Sequence, residues 1–194
     1  MKEVSYALGL SVASNLRNSG VEAIEIEQFI KGFTAILTDG EITMTPEEVN
    51  MTLSKFFEGL KQKANMNIEG EGEKFLIENK KQPGVIETSS GLQYLVIQEG
   101  SGAKPKATNQ VKVHYTGTLI DGKIFDSSVN RGEPAVFGVN QVIAGWVEGL
   151  QLMSKGAKYK FFIPSGLAYG SRGAGKLIGP NAALIFEVEL LDIL

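Results

Sequence analysis

GTLIDGKIFDSSVNRGEPAVFGVNQVIAGW, residues 117–146, is the most informative stretch of the chain. Within it Asp126 directly follows an aromatic residue, Arg131 comes five residues later, and a Val-Ile pair stands shortly before the only tryptophan, Trp146. A carboxylate beside a buried aromatic side chain is costly unless it is paired or hydrogen-bonded. We interpret the stretch as part of a hydrophobic pocket built around two polar groups. The alternative is that Asp126 initiates an ordinary surface turn with the two serines that follow it.

Composition excludes several classes of protein. Of the 194 residues, 43% are hydrophobic and 21% are charged, which is typical of a soluble globular protein. The formal net charge of −3 gives no electrostatic basis for binding nucleic acid or an anionic membrane. No run of about 18 apolar residues is present, so we expect no membrane insertion. No signal peptide is visible, which favours a cytoplasmic location, or a periplasmic one if a signal has been removed.

Metal and thiol chemistry are also disfavoured. The chain has no cysteine and one histidine, His114, which argues against a conventional zinc site, a disulfide framework or a histidine-based catalytic triad. His114 lies in an alternating, strand-like segment and is interpreted as structural. We expect no metal and no cofactor.

The charge balance and the periodicity of apolar residues change near Pro83, which divides the chain into two predicted domains, 1–82 and 83–194. Residues 1–90 carry 9 Lys or Arg and 14 Asp or Glu, whereas residues 91–194 carry 10 and 8. The first part has helical spacing of apolar residues and few turn residues, and the second alternates β-branched and aromatic residues with Gly-containing turns. The predicted fold class is therefore α+β, with an all-α domain followed by a mainly antiparallel β domain.

Three helices are predicted in the first domain. Apolar stripes run through residues 4–16 and 26–37, and Thr45-Pro46-Glu47-Glu48 has the pattern of a capping box with proline at the first helical position. No strong stop follows before Pro83, so the third helix is predicted over about residues 45–82, although Gly70 and Gly72 weaken it. Because its second half is mostly polar, we interpret that half as a solvent-exposed spacer.

The apolar part of this domain is small for a stable core. The first two helices and the start of the third comprise about 60 residues, a size at which oligomerisation is a usual remedy. We therefore expect residues 1–60 to be a homodimerisation module. The alternative is a small helical cap packed on its own β domain.

The second domain is predicted to contain five to six short strands and one short helix. Period-two alternation and turn signals indicate strands over residues 91–97, 111–117, 135–137, 157–163 and 182–190, with a hairpin turn at Asp121-Gly122. Residues 147–153 have the pattern of a brief helix. Together they predict an antiparallel half-barrel wrapped around that helix.

Five motifs in this domain resemble those of FKBP-type peptidyl-prolyl cis-trans isomerases. In the family's order and spacing, the motifs are VHYTG (113–117), FDSS (125–128), VIAGW (142–146), AYG (168–170) and FEVELL (186–191). The resemblance covers about residues 86–194. The helical N-terminal half is similar in architecture to the two-domain Mip-like FKBPs of bacteria, in which that domain dimerises and the long helix holds two catalytic domains apart.

The resemblance implies a set of site residues. Those implied to be catalytic are Tyr115, Phe125, Asp126, Tyr169 and Phe186. Those implied to bind substrate are Arg131, Val142, Ile143, Trp146 and Ile178. Trp146 would be the floor beneath the proline ring, while the Ile143 N–H and the Tyr169 hydroxyl would bind substrate carbonyls.

The implied activity is acceleration of Xaa-Pro rotation in proline-containing unfolded or partly folded proteins, with no cofactor. The alternative is a non-catalytic dimeric chaperone or adaptor that holds proline-containing apolar segments in the same pocket. Macrolide inhibitors of the rapamycin type are implied ligands, although the loop over the other rim of the pocket, residues 173–180, differs from that of single-domain members. Residues 170–176 also match the phosphate-binding pattern G-x-x-x-x-G-K, but Leu177 replaces the Ser or Thr that such a site needs.

Overall fold

The computed structural model describes residues 1–194, and its N-terminal part is helical. Helix α1 spans Lys2–Asn18, α2 spans Ile26–Leu37 and α3 spans Pro46–Asn79. The predicted capping box is present, because the Thr45 N–H donates to Glu48 Oε2 at 2.8 Å and the Glu48 N–H donates to Thr45 Oγ1 at 3.3 Å. No helix is both long enough and apolar enough to span a membrane.

Residues 1–64 form one compact unit with little buried apolar surface. Val21 is its only buried hydrophobic residue. Large apolar side chains along all three helices stay exposed, among them Leu8, Ile30, Phe33 and Leu53. The apolar stripes that predicted the helices are therefore present but stay largely exposed within this unit.

The second unit, residues 65–194, contains a seven-stranded antiparallel sheet. Its strands are β1 (Val85–Glu87), β2 (Gln93–Gln98), β3 (Gln110–Leu119), β4 (Ile124–Ser127), β5 (Ala135–Gly138), β6 (Lys158–Ile163) and β7 (Leu184–Ile193). They are ordered β1-β2-β6-β7-β3-β4, and β5 also pairs with β3. A one-turn helix α4 (Ser128–Arg131) follows β4, and α5 (Ala144–Leu152) follows β5. The predicted mixed fold is confirmed, although β1 and α4 were not foreseen.

Helix α5 lies very close to strand β6 because two glycines face the sheet. A Cβ on Gly145 would lie 2.5 Å from Ile163 Cγ2, and a Cβ on Gly149 would lie 2.7 Å from Phe161 Cε1. Both distances are well below van der Waals contact, so only glycine fits at these positions. This close approach places Trp146, in the first turn of α5, in the core cluster with residues of the sheet.

The second half of α3 differs from the predicted solvent-exposed spacer. The chain divides into two compact units between Ala64 and Asn65, inside α3. Residues 65, 68, 72, 75, 76 and 79 are wholly or partly buried, and we call this stripe the α3 seam. Phe75 packs against Phe162 of β6, with ring centroids 6.0 Å apart. Only Ile68, Phe75 and Leu76 in this stripe are large apolar residues, and the rest of the segment is mostly polar, so average polarity concealed the stripe.

Candidate active site

A cavity of about 680 Å³ opens between the first turn of α5 and the sheet strands β3, β4 and β7. Nine of the ten predicted site residues line it: Tyr115, Phe125, Asp126, Val142, Ile143, Trp146, Tyr169, Ile178 and Phe186. Arg131, the tenth, does not line the cavity but contacts two residues that do. A volume of this size suits a small ligand or a few residues of a peptide.

Aromatic rings packed edge to face form most of the wall. Trp146 is 3% exposed. Its ring meets those of Tyr115, Phe137 and Phe186 at 82–89°, with centroids 5.2–5.7 Å apart. Phe125 and Phe186 meet at 82° with centroids 5.4 Å apart. Edge-to-face packing is a favoured arrangement of aromatic rings, so these residues hold one another in place around an apolar space.

Gly117 of β3 is required by the two phenylalanine walls. A Cβ at this position would lie 2.6 Å from Phe125 Cε2 and 2.7 Å from Phe186 Cε1. Gly117 pairs with Phe186 of β7 on one side and with Asp126 of β4 on the other. The missing side chain therefore makes room for both rings over β3.

Asp126 accepts two hydrogen bonds from side chains, one from the Tyr115 hydroxyl and one from Arg131 Nη1. Arg131 Nη2 also donates to the Tyr115 oxygen at 3.1 Å, and its guanidinium lies 5.7 Å from the centroid of the Tyr115 ring. The three polar groups thus form a closed triangle at the edge of the cavity. This arrangement satisfies the carboxylate without bringing it into the apolar centre.

The triangle shifts the pKa of each member. Desolvation by burial favours a higher pKa for the Asp126 carboxyl, but the hydrogen bonds from Tyr115 and Arg131 outweigh it, and the pKa lies below its usual value. Burial and the hydrogen bond to Asp126 raise the pKa of the Tyr115 hydroxyl. Hydrogen bonds to Tyr115 and Asp126 raise the pKa of Arg131. At neutral pH the site therefore holds a carboxylate, a guanidinium and a neutral phenol.

Ser128 fixes the backbone of Tyr115, a role that was not predicted from the sequence. Its fully buried hydroxyl accepts a hydrogen bond from the Tyr115 N–H at 2.8 Å and lies 3.3 Å from the Tyr115 carbonyl oxygen. His114 Nδ1 lies 3.2 Å from the same hydroxyl, in keeping with a structural histidine. The neighbouring Ser127 caps α4 by accepting from the Asn130 N–H at 3.2 Å.

The opposite rim of the cavity is a loop, residues 169–181, which we call the rim loop. A short 3₁₀ turn at Gly170–Arg172 and a bridge between Ala174 and Ile178 shape it. Gly173 and Gly175 have positive φ angles of 63° and 57°, a conformation that favours glycine. No helix follows the G-x-x-x-x-G-K match, so the loop lacks the structure of a phosphate-binding site.

Six further residues line the cavity, and four of them belong to the loop that was predicted to form its rim. Phe137 and Gln141 line the cavity, together with Ala174, Gly175, Lys176 and Leu177 of the rim loop. The short apolar strand that holds Phe137 was predicted, but nothing in it marked the ring as part of the site. No group of three or more His, Cys, Asp or Glu side chains is placed to hold a metal ion.

Family models match both parts of the chain. One described as "FKBP-type peptidyl-prolyl cis-trans isomerase" matches residues 101–191. Another, described as "Domain amino terminal to FKBP-type peptidyl-prolyl isomerase", matches residues 1–96. Together the two matches cover almost the whole sequence.

Relatives match over nearly the full length. The FKBP-type peptidyl-prolyl cis-trans isomerase FkpA of Aeromonas hydrophila is 50% identical, with 99% of this chain and 76% of the relative covered. The FKBP-type 22 kDa peptidyl-prolyl cis-trans isomerase of Escherichia coli K12 is 46% identical, with 99% and 95% covered. The outer membrane protein MIP of Legionella longbeachae is 42% identical, with 98% and 84% covered. The crystal structure of FkpA from Escherichia coli has a TM-score of 0.79 at 37% identity, covering 98% of this chain and 95% of that one.

Proposed function

Because the chain belongs to the FKBP-type peptidyl-prolyl cis-trans isomerases, we propose that the aromatic cavity binds Xaa-Pro segments of unfolded or partly folded proteins and accelerates their isomerisation there. The observation that carries this proposal is the cavity itself. It combines an apolar wall around Trp146 with a polar triangle at one edge, and it has the volume for a prolyl ring and its neighbours.

The proposed mechanism follows from the electronic structure of the peptide bond. Rotation about an Xaa-Pro bond must overcome a barrier of about 18–20 kcal/mol because resonance gives the C–N bond partial double-bond character. In the twisted transition state that resonance is lost and the carbonyl oxygen carries less charge. A cavity poor in water stabilises this less polar state relative to the hydrated planar one. Catalysis is then differential binding, and it needs no nucleophile, metal or cofactor.

Each predicted residue has a place in this mechanism. Trp146 forms the floor beneath the prolyl ring, and Phe125 and Phe186 form the walls. Two hydrogen-bond donors orient the substrate carbonyls: the Tyr169 hydroxyl, on a side chain that is 40% exposed, and the Ile143 N–H, which makes no hydrogen bond within the chain. Val142 and Ile178 contribute further apolar lining.

Asp126 has two proposed roles that the triangle supports. It holds the Tyr115 ring and Arg131 in a single arrangement, and its carboxylate places negative charge at the edge of the cavity. As the amide twists, the nitrogen donates less electron density to the carbonyl group and the carbonyl carbon becomes more electropositive. The negative charge of Asp126 stabilises this twisted state. Arg131 acts through Asp126 and Tyr115, since it does not line the cavity itself.

The first unit supports assembly as a homodimer through residues 1–60. Its apolar side chains are exposed along all three helices, and α1 and α2 leave between them a cavity of about 590 Å³ with a mostly apolar lining. An exposed apolar surface of this extent marks an interaction site, and a second copy of the same unit would bury it. A dimer carries two active sites and would bind a chain with several prolines more tightly than one site does.

A protease-coupled assay of a short Xaa-Pro peptide tests the proposed function. We expect the full chain to accelerate isomerisation and rapamycin to inhibit it, because a macrolide of that type would occupy the cavity. Binding of the peptide without acceleration would favour the alternative of a chaperone or adaptor that only holds proline-containing segments. The predicted cytoplasmic location is tested separately by cell fractionation, and recovery with periplasmic or membrane markers would contradict it.

A further inference from the structure

Glu69 of α3 is hydrogen-bonded to the residue that closes the rim loop. Asn181 Nδ2 donates to Glu69 Oε2 at 2.9 Å across 112 positions of sequence. Asn181 has a positive φ of 58°, and its backbone N–H donates to the Gly170 carbonyl at 2.8 Å. Gly170 directly follows Tyr169, so this backbone bond joins the two ends of the rim loop. Glu69 therefore holds the point at which the loop closes.

Two glycines let α3 and the end of the rim loop approach closely. A Cβ on Gly179 would lie 3.0 Å from Ile68 Cδ1, and a Cβ on Gly72 would lie 3.2 Å from Ala183 Cβ. Ile68 packs against the core cluster, and Gly72 is buried. Since Gly179 directly follows the cavity-lining Ile178, a shift of α3 would be passed to the wall of the cavity.

The far end of the α3 seam is fixed to the sheet. Gln93 of β2 is 1% exposed, accepts a hydrogen bond from Asn79 Nδ2 at 2.8 Å and donates to the Leu76 carbonyl at 2.9 Å. The same amide donates to Glu87 of β1 at 3.0 Å. This buried amide is fully engaged, so it specifies one position of the helix on the sheet. The helix thus joins a rigid anchor at one end to the rim loop at the other.

We propose that residues 68–72 of α3 are a positioning element for the active site, and that Glu69 and Gly72 set the position of the rim loop. The inference rests on the proposed role of the cavity as the substrate site. Neither residue lines the cavity, and neither contacts the triangle of Asp126, Tyr115 and Arg131. Loosening the loop should therefore weaken the contacts that Tyr169 and Ile178 make with the substrate and leave the triangle in place, which raises KM more than it lowers kcat.

Four variants of the full chain test the hydrogen bond: E69A, E69Q, N181G and the double variant E69A/N181G. Glycine keeps the positive φ at residue 181, so N181G removes only the side-chain amide. We expect E69A and N181G each to raise KM about three- to tenfold, within the range that loss of one solvent-exposed hydrogen bond gives. E69Q keeps an acceptor for Asn181 and should retain a KM near that of the wild type. The double variant should be no worse than either single one.

A pair of glycine variants tests the close packing. G72L forces a side chain against Ala183, whereas G70L places the same side chain in open space two residues away on the same helix. G72L and G70L change the helix propensity of α3 equally, because each replaces glycine with leucine. We expect G72L to raise KM more than E69A does, and G70L to leave it unchanged. Thermal unfolding of each variant shows whether the fold is retained.

Binding of the Xaa-Pro peptide, followed by fluorescence of Trp146, separates this inference from the proposed function. A wild-type chain that binds the peptide without accelerating isomerisation would overturn the proposed function, and the dissociation constants of the variants would still test the positioning role. Unchanged KM and peptide affinity in both E69A and G72L, with the fold intact, would overturn the inference. So would equal effects of G72L and G70L, or additive effects of E69A and N181G.

Discussion

The Tyr115 hydroxyl donates a hydrogen bond to the carboxylate of Asp126 across two neighbouring strands. The residue of β3 directly opposite Asp126 is Gly117, two positions after Tyr115 on the same face of the strand. Because Gly117 has no side chain, the phenol reaches the carboxylate diagonally, and Phe125 and Phe186 occupy the space above the glycine. The polar edge and the apolar wall of the cavity therefore depend on the same short piece of β3.

Replacing Asp126 with asparagine tests the charge in the triangle. The side chain keeps its size, but it loses the negative charge and turns one acceptor into a donor that faces Arg131 or Tyr115. We expect kcat/KM for an Xaa-Pro peptide to fall on the order of tenfold, since hydrogen bonds to a charged acceptor are the stronger kind. D121N is the matched control, because Asp121 lies in the β3–β4 turn and bonds only to the local Lys123 N–H. Equal activity of D126N and the wild type would show that the charge of Asp126 does not contribute to catalysis.

The lowered pKa of Asp126 predicts how its contribution to stability depends on pH. The folded-state pKa lies below the unfolded one, which is about 3.9. The stabilising contribution is therefore fully present above that value and is lost as pH falls through the folded-state pKa. The difference in free energy of unfolding between the wild type and D126N should be larger at neutral pH than in acid below both pKa values. Urea unfolding of both proteins measures it, and a difference that grows on acidification would contradict the assignment.

Gly117→Ala should disturb both walls of the cavity. The added methyl group would overlap Phe125 and Phe186, and overpacking of this kind costs typically about 1–3 kcal/mol of unfolding free energy. We also expect kcat/KM to fall, because the rings must move into or away from the cavity. G166A serves as a control, since a Cβ at Gly166 meets no atom within 4 Å. Wild-type activity in G117A would show that the position of the two rings does not matter.

Phe33→Glu tests the proposed dimer. Phe33 is 48% exposed, lines the apolar cavity between α1 and α2, and stacks on Phe29 with centroids 6.1 Å apart. A carboxylate there cannot be buried against a second copy without a large desolvation cost. We expect sedimentation to give the mass of a dimer for the wild type and of a monomer for F33E. The control I86E changes an exposed residue of β1 in the other unit and should remain dimeric. A monomeric wild-type chain would end the dimer hypothesis.

The sequence predicted those features that repeat locally or lie close together in the chain. Period-two alternation located strands, and the Thr45 capping box located the start of α3. The family resemblance supplied Tyr169 and Phe186, which are far from Asp126 in sequence but line the same cavity.

Features that depend on distant contacts could not be predicted in this way. Ser128 is a small hydroxyl with no periodic signal, and its role became visible only when β3 and β4 were paired. The α3 seam meets partners such as Ala183, more than 100 positions later, and its few apolar residues are separated by polar ones in the sequence. In both cases the physical cause is a tertiary contact that leaves no pattern in the local sequence.

We propose that the Xaa-Pro bond twists inside the aromatic cavity. The most direct measurement is the exchange rate between cis and trans isomers of an Xaa-Pro peptide, observed by NMR with catalytic amounts of the wild-type chain, F186L and F162L. Phe186 lines the cavity, whereas Phe162 packs against Phe75 of α3 outside it. We predict fast exchange with the wild type and F162L, and a rate at least about tenfold lower with F186L, equivalent to about 1.4 kcal/mol of transition-state stabilisation. Equal exchange rates for F186L and the wild type would contradict the account.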